Sequence, residues 1–219
     1  MVDYVSMTIT KFGHCCLLLE VKEKRILVDP GRFSDGQNTL TDIDIILITH
    51  EHADHYHSES VLQILSNNSE AIVVTNTSVA TLLEGLGIDA YILEGRDCAT
   101  IVDVDLEAFD GKHVEIFEDL GLVQNTGYFV DGSFFFPGDA YTVPNKPVHI
   151  LALPVAGPWC KISEAISYAL AVKPKVAFPV HDATLSENGK SVTYPHFERE
   201  LKKVDSEFLV LENGVAREF

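Results

Sequence analysis

The chain reads as an α/β protein in which two sheets pack face to face and helices cover the outer side of each. Three features predict it. Short apolar runs such as Ile45-Ile46-Leu47-Ile48 and Phe134-Phe135-Phe136 recur along the chain, bounded by polar residues, as buried strands are. Helical periodicity appears in each half, always between such runs. No linker rich in Pro, Gly or Ser divides the 219 residues. A single domain over 1–219 is therefore expected, with two similar halves of roughly 1–110 and 111–219 sharing one core.

The opening segments Met7 to Phe12, His14 to Val21, Arg25 to Val28 and Asp44 to Thr49 read as strands. Ser58 is the expected N-cap of a helix that buries Val61, Leu62 and Leu65. Ala71 to Thr75 is a strand. A second helix carries Val79, Leu82, Leu83 and Leu86 at i, i+3, i+4 and i+7, and Gly85-Leu86-Gly87 stops it. From Tyr91 to Phe136 strands dominate, with turns at Asp110-Gly111 and Asp131-Gly132. The strand His149 to Val155 leads into a helix from Ser163 to Val172, ended by Lys173-Pro174. Val176 to Val180 is a strand. A helix around His196 to Val204 then sets Phe197, Leu201 and Val204 on one face, and a strand from Glu207 to Leu211 closes before Asn213-Gly214.

Composition narrows the function classes. Hydrophobic residues make up 46% of the chain, enough for a sizeable core. No apolar stretch approaches the roughly 18–20 residues of a membrane span, so no membrane partner is expected. The start Met1-Val2-Asp3-Tyr4-Val5-Ser6 lacks the basic and apolar blocks of a signal peptide, and a cytoplasmic place is expected. The formal charge is −17 and the sixteen basic residues are scattered, which repels phosphate backbones and argues against nucleic acid as a partner. Cys15, Cys16, Cys98 and Cys160 form no CxxC pair and read as reduced thiols, the first two packed in the strand-like run Cys15-Cys16-Leu17-Leu18-Leu19. Exposed edges and charge permit either a monomer or a symmetric homo-oligomer.

The stretch Thr49-His50-Glu51-His52-Ala53-Asp54-His55 carries the chemistry. It follows the apolar run Ile45 to Ile48, so it lies on the loop at that strand's carboxyl end. Alternate residues of an extended loop point the same way, so His50 and His52 can grip one ion together. Asp54 and His55 then project from the following turn and are available to a second. Imidazole and carboxylate suit zinc, manganese or iron. Further donors stand at other strand ends: Asp29 in Val28-Asp29-Pro30-Gly31, the isolated His113, Asp139 in Pro137-Gly138-Asp139-Ala140, and His181 in Val180-His181-Asp182.

In these motifs and their order the chain resembles the metallo-β-lactamase-fold hydrolases over nearly its whole length. Phe12-Gly13-His14-Cys15-Cys16, Asn125-Thr126-Gly127-Tyr128 and Leu153-Pro154-Val155 are closest to the compact, lactonase-like branch, that of the ascorbate-6-phosphate lactonases. The resemblance implies a four-layer αββα sandwich with the site at one edge between the sheets. It implies that His50, His52 and His113 hold one divalent ion, that Asp54, His55 and His181 hold another, and that Asp139 bridges both. Asp29 would orient the ligand loop from outside. A water shared by the ions, its pKa lowered from 15.7 toward roughly 7, would attack a small-molecule ester, lactone or phosphoester.

The resemblance also excludes neighbours. True β-lactamases of the fold carry Cys or Ser where Asp139 stands. Thioesterases of the glyoxalase II type add a helical domain, fold-related ribonucleases need an RNA-gripping insertion and a basic surface, and flavodiiron-type oxidoreductases carry a glutamate at the place of His52 and a flavin domain. A metal-binding sensor without turnover, and a phosphodiesterase or nuclease of the same fold, are the alternatives.

Asp54 and His14 are the catalytic candidates beyond metal binding, His14 as a proton donor, a substrate contact or a buried structural histidine. Asn125, Tyr141 and Trp159 are expected in the substrate pocket. Asp182 orients a neighbouring ligand or caps a turn. His57, His149 and His196 read as structural.

Overall fold

The computed structural model describes residues 5–219. Strands β1 (Thr8–Phe12), β2 (Cys16–Val21) and β3 (Lys24–Val28) form an antiparallel meander. Then β4 (Ile45–Leu47), α1 (Ser58–Asn67), β5 (Ile72–Thr75), α2 (Thr77–Glu84) and β6 (Ala90–Ile92) extend it as parallel strands joined by helices. The second sheet repeats the succession. An antiparallel run of β7 (Cys98–Ile101), β8 (Val104–Lys112), β9 (Gln124–Val130) and β10 (Phe134–Phe136) is followed by parallel β11 (Ile150–Pro154), α3 (Ile162–Val172), β12 (Val176–Val180), α4 (Glu187–Lys202) and β13 (Glu207–Phe208). The last strand, β14 (Arg217–Glu218), returns to pair with β1. Among the described residues each sheet thus has seven strands.

Side-chain alternation explains why the strands are apolar on both faces. Leu17 and Leu19 of β2, Ile45 and Leu47 of β4, and Phe134 and Phe136 of β10 meet in the core between the sheets. Leu18 and Ile46 point outward onto α1 and α2, where Val61, Ile64, Val79 and Leu83 cover them. Phe135, Leu151 and Leu153 point outward onto α3 and α4, against Ala165, Ala169, Phe197 and Leu201. Helix, sheet, sheet, helix is the result, as expected. Among the described residues no helix is long and apolar enough to cross a membrane.

Several local expectations need correction. His57, not Ser58, is the N-cap of α1, and the helix buries Ser60, Val61 and Ile64 while Leu62 is exposed. On α2 the buried stripe is Val79 and Leu83, and Leu82 and Leu86 face solvent, because a helix lying on one sheet face needs only a narrow stripe. Asp110-Gly111 is not a turn; β8 runs through it. Gly111 serves a close approach instead, since a Cβ there would fall 1.8 Å from Thr142 Oγ1. Helix α4 starts at Glu187, capped by the Ser186 side chain accepting from Gly189 N–H, and carries Pro195 inside it. Its first turns are polar and exposed, so they leave no apolar period. The closing strand ends at Phe208, and β14 was not foreseen.

Candidate metal centre

Every predicted ligand lies at a carboxyl end of a strand. Asp29 follows β3, the His50 to His55 loop follows β4, His113 follows β8, Asp139 follows β10 and His181 follows β12. The two sheets present these ends at the same edge of the sandwich. Asp29 and His181 both hold left-handed backbone, φ 43° and 60°, which non-glycine residues rarely adopt. Such strain collects at sites where the chain must turn sharply to aim a side chain.

The structure gathers one nitrogen or oxygen each from His50, His52, His113 and Asp139 within 4.8 Å of one another, and does the same for Asp54, His55 and His181. Asp139 lies between the groups. Its Oδ2 is 3.8 Å from His50 Nε2, 3.5 Å from His113 Nε2 and 3.1 Å from His181 Nε2, and its Oδ1 is 3.1 Å from His55 Nε2. Asp54 Oδ2 is 3.2 Å from His181 Nε2.

Hydrogen bonds behind the rings decide which nitrogens face inward. The Thr49 hydroxyl donates to Asp29 Oδ2 at 2.6 Å, so it accepts from His50 Nδ1 at 3.0 Å. His55 Nδ1 donates to Asp29 Oδ2 at 2.6 Å, and His113 Nδ1 donates to the Val114 carbonyl at 2.7 Å. Each ring is thereby fixed with Nε2 turned into the cluster, where it can take a proton or a cation. The Nε2 atoms of His50, His55, His113 and His181 and Oδ1 of Asp139 are buried with no hydrogen-bond partner. Buried polar atoms are rarely left so unless a ligand completes them. Converging imidazole lone pairs around a carboxylate fit divalent cations.

Charge leads the same way. Burial opposes protonation of His55 and His181, yet the field of Asp139 overrides it and holds both well above the ordinary histidine range. Burial pushes His50 well below that range and lowers His52 as well. For Asp139 burial works upward but His55 and His181 outweigh it, keeping the carboxyl well below its usual range; Asp54 is also lowered against burial, chiefly by the adjacent His14 and His181 rings. These carboxylates thus require positive charge. A divalent cation could supply it in place of ring protons.

A family profile described as the β-lactamase superfamily domain matches residues 8–181. The chain belongs to this superfamily. It is similar to protein Rv0786c of Mycobacterium tuberculosis, 34% identical over 214 residues that cover 95% of this chain and 99% of that protein. A UPF0173 metal-dependent hydrolase of Alkaliphilus metalliredigens is 28% identical over 192 residues, 80% of this chain and 85% of the other. Igni18, a metallo hydrolase of Ignicoccus hospitalis, matches in fold with a TM-score of 0.78 at 20% identity, covering 98% of each chain. The architecture is that of the metallo-β-lactamase superfamily.

The remaining candidates divide. Asp29 stands behind the superfamily's histidine loop, binding Thr49 N–H as well as its hydroxyl and His55. Asp182 does not orient a ligand. Its carboxylate takes Lys11 Nζ at 2.5 Å and the Tyr194 hydroxyl, because the residue after His181 turns to the opposite side of the chain. Asn125 is not a pocket wall: it is buried, its Oδ1 accepts from Asp139 N–H and its Nδ2 donates to the Pro137 carbonyl, so it clamps the turn that carries Asp139. Tyr141 packs edge-on behind Trp159, at 5.8 Å between ring centres, and does not line the cavity. Trp159 does line it, and its Nε1 donates to Asp139 Oδ2 at 2.9 Å. His14 Nδ1 accepts from Ala183 N–H, which leaves its proton on Nε2, 3.4 Å from Asp54 Oδ2. Cys15 lies within reach of His14 and His181, but burial raises its thiol and keeps it neutral. His57 contacts Ser60 at the start of α1.

A cavity of about 500 Å³ opens over the cluster, walled by His52, Asp54, Asp139 and His181 and by apolar neighbours. A larger one, about 710 Å³, lies along β1 and α4, but its polar groups Lys11, Asp182 and Tyr194 are already paired to one another. Sequence reasoning missed Thr49, the hinge of the Asp29–His50 link, and the 113–123 loop that supplies Ile116, Leu120 and Gly121 to the cavity. The loop's apolar residues were visible between acidic ones, but a strand was assigned across them.

Proposed function

We propose that the chain is a metal-dependent hydrolase holding two divalent cations, zinc first with manganese or iron as alternatives, and that it cleaves a small-molecule ester, lactone or phosphoester. One observation carries this reading. Buried imidazole nitrogens, their tautomers set from behind, converge without partners on one buried carboxylate. His50, His52 and His113 would hold one ion, Asp54, His55 and His181 the other, and Asp139 would serve both. Bound there, such cations supply an acidified water and a Lewis acid for the substrate oxygen.

The chain's own groups do the rest. Asp29 and Thr49 keep His50 and His55 in the ligand tautomer. Trp159 steadies Asp139 through its indole N–H. His14, its Nε2 proton 3.4 Å from Asp54 Oδ2, would orient that carboxylate from behind the cavity. The Phe12-Gly13-His14 motif supports a lactonase-like member, and the free thiols of Cys15 and Cys16 suit a reducing, cytoplasmic setting.

Plasma mass spectrometry on untagged protein tests the centre. About two equivalents of zinc, manganese or iron are expected, with both ions and turnover lost in His52→Ala and Asp139→Ala. Under roughly half an equivalent after incubation with those metals would overturn the assignment. Metal-loaded protein that turns over no ester, lactone or phosphodiester would instead leave a metal-binding sensor.

A further inference from the structure

Outside the proposed ligands, the cavity walls carry no charged side chain. They are Ala53, Ile116, Leu120, Gly121, Pro158 and Trp159. Among the described residues no lysine or arginine lines the cavity. Arg32, Lys112 and Lys161, near site residues in sequence, are exposed and stay outside its walls. The loop over the mouth is acidic as well, with Glu115, Glu118 and Asp119 all exposed.

That loop is built to present hydrocarbon. Leu120 N–H donates to the Phe117 carbonyl at 2.9 Å and Leu122 N–H to the Asp119 carbonyl at 3.2 Å, closing a tight turn. Gly121 holds φ +80°, and a Cβ there would fall 2.7 Å from Ile116 Cδ1. Glycine thus lets Ile116 close onto the loop, against the cavity. Leu120 remains 62% exposed at the mouth, uncovered by the rest of the chain.

We propose that the substrate is an uncharged carboxylic ester or lactone with a hydrocarbon arm lying against Ile116, Leu120 and Trp159, and that anionic phosphoesters are disfavoured. The inference rests on the hydrolase proposal and narrows it. Any charge at the reacting centre would come from the cations. The rest of the substrate meets apolar surface, where an anionic group would lose water without gaining a partner. The loop that supplies Ile116 and Leu120 adds three exposed carboxylates nearby in sequence, which would further repel an anion.

Two readouts test it. Trp159 is the only tryptophan in the chain and lines the cavity, so its fluorescence reports occupancy. Methyl ketones, uncharged and without a leaving group, serve as probes from 2-butanone to 2-octanone. Each added methylene should tighten binding about fourfold until the arm leaves the cavity. In turnover, kcat/KM for p-nitrophenyl esters should rise about tenfold or more from acetate to hexanoate and exceed that for bis(p-nitrophenyl) phosphate. Leu120→Asp, on an exposed side chain, should flatten both series and leave metal content unchanged. Flat series in the unaltered protein, or preference for the phosphodiester, would overturn the substrate class while leaving a hydrolase. Ketones that bind with rising affinity to a metal-loaded protein that hydrolyses nothing would remove the hydrolase proposal and keep the apolar site.

Discussion

Asn125 clamps the turn that aims Asp139, and replacing it measures what that clamp contributes. In Asn125→Leu the side chain keeps its approximate volume but loses both hydrogen bonds. Asp139 N–H and the Pro137 carbonyl, each held at 2.9 Å, are left unpaired in a site where Asn125 and Asp139 are buried. An unsatisfied buried group costs about 1–3 kcal/mol, so the pair should cost about 2–6 kcal/mol. Asn125→Asp should fall between, because it retains the acceptor for Asp139 N–H and places a carboxylate against the Pro137 oxygen. Urea unfolding of the metal-free variants, followed by circular dichroism, gives the cost directly. Repeating the titration in excess zinc adds the second half of the argument. Metal that binds only the folded chain raises stability by mass action, and a misplaced Asp139 should reduce that gain in Asn125→Leu. A variant within about 0.5 kcal/mol of the parent, or one with an unchanged zinc-linked gain, would refute the clamp.

Two further perturbations probe the surroundings. Lys11→Met leaves Asp182 buried with only the Tyr194 hydroxyl, and breaking such a pair should cost about 3–5 kcal/mol, whereas adding Asp182→Leu should recover most of it; equal urea midpoints for parent and single variant would remove the pair from the fold's supports. Glu94 accepts from Thr77 N–H, the Gln124 amide and the Thr77 hydroxyl, which together hold its carboxyl below the ordinary 4.5. A lowered folded value means a contribution present above 4.5 and lost as pH falls through the folded value. The stability difference between parent and Glu94→Gln should therefore shrink from pH 7 to pH 3, and a difference independent of pH would refute it.

Much of the candidate site was legible because residues of metal-ligating type leave a local mark. His50-x-His52-x-Asp54-His55 stands directly after β4, and strand geometry alone says that such a loop is presented at the sheet's end. Asp139 and His181 are readable for the same reason, each following a short, wholly apolar run. What failed had a tertiary cause. Asp110-Gly111 has turn chemistry, but the glycine answers to Thr142, over thirty positions away in the chain, and the strand continues. Asp182 was paired with the centre because it adjoins His181, yet the left-handed turn at His181 sends the two side chains to different partners. Asn125 meets Asp139 at that residue's backbone N–H and Thr49 meets His50 through a hydroxyl, and such contacts leave no pattern in a sequence. The first turns of α4 were invisible because nothing apolar repeats there.

The arrangement of support also says how fold and metal are coupled. In a small zinc module the ions hold the chain together, and it unfolds without them. Here three of the inward-facing rings are fixed by the protein itself: His50 through Thr49, His55 through Asp29, His113 through a backbone carbonyl. The strained turns at Asp29 and His181 cost about 1–3 kcal/mol each and persist because the surrounding sheets determine them. Behind them lies a core that spans both sheets from Ile9 to Val180. The sandwich therefore sustains the site without an ion, and any cation bound there would add stability to a chain that already folds. Preorganisation of this kind favours catalysis, since the ligands need not reorganise as charge develops in the cavity.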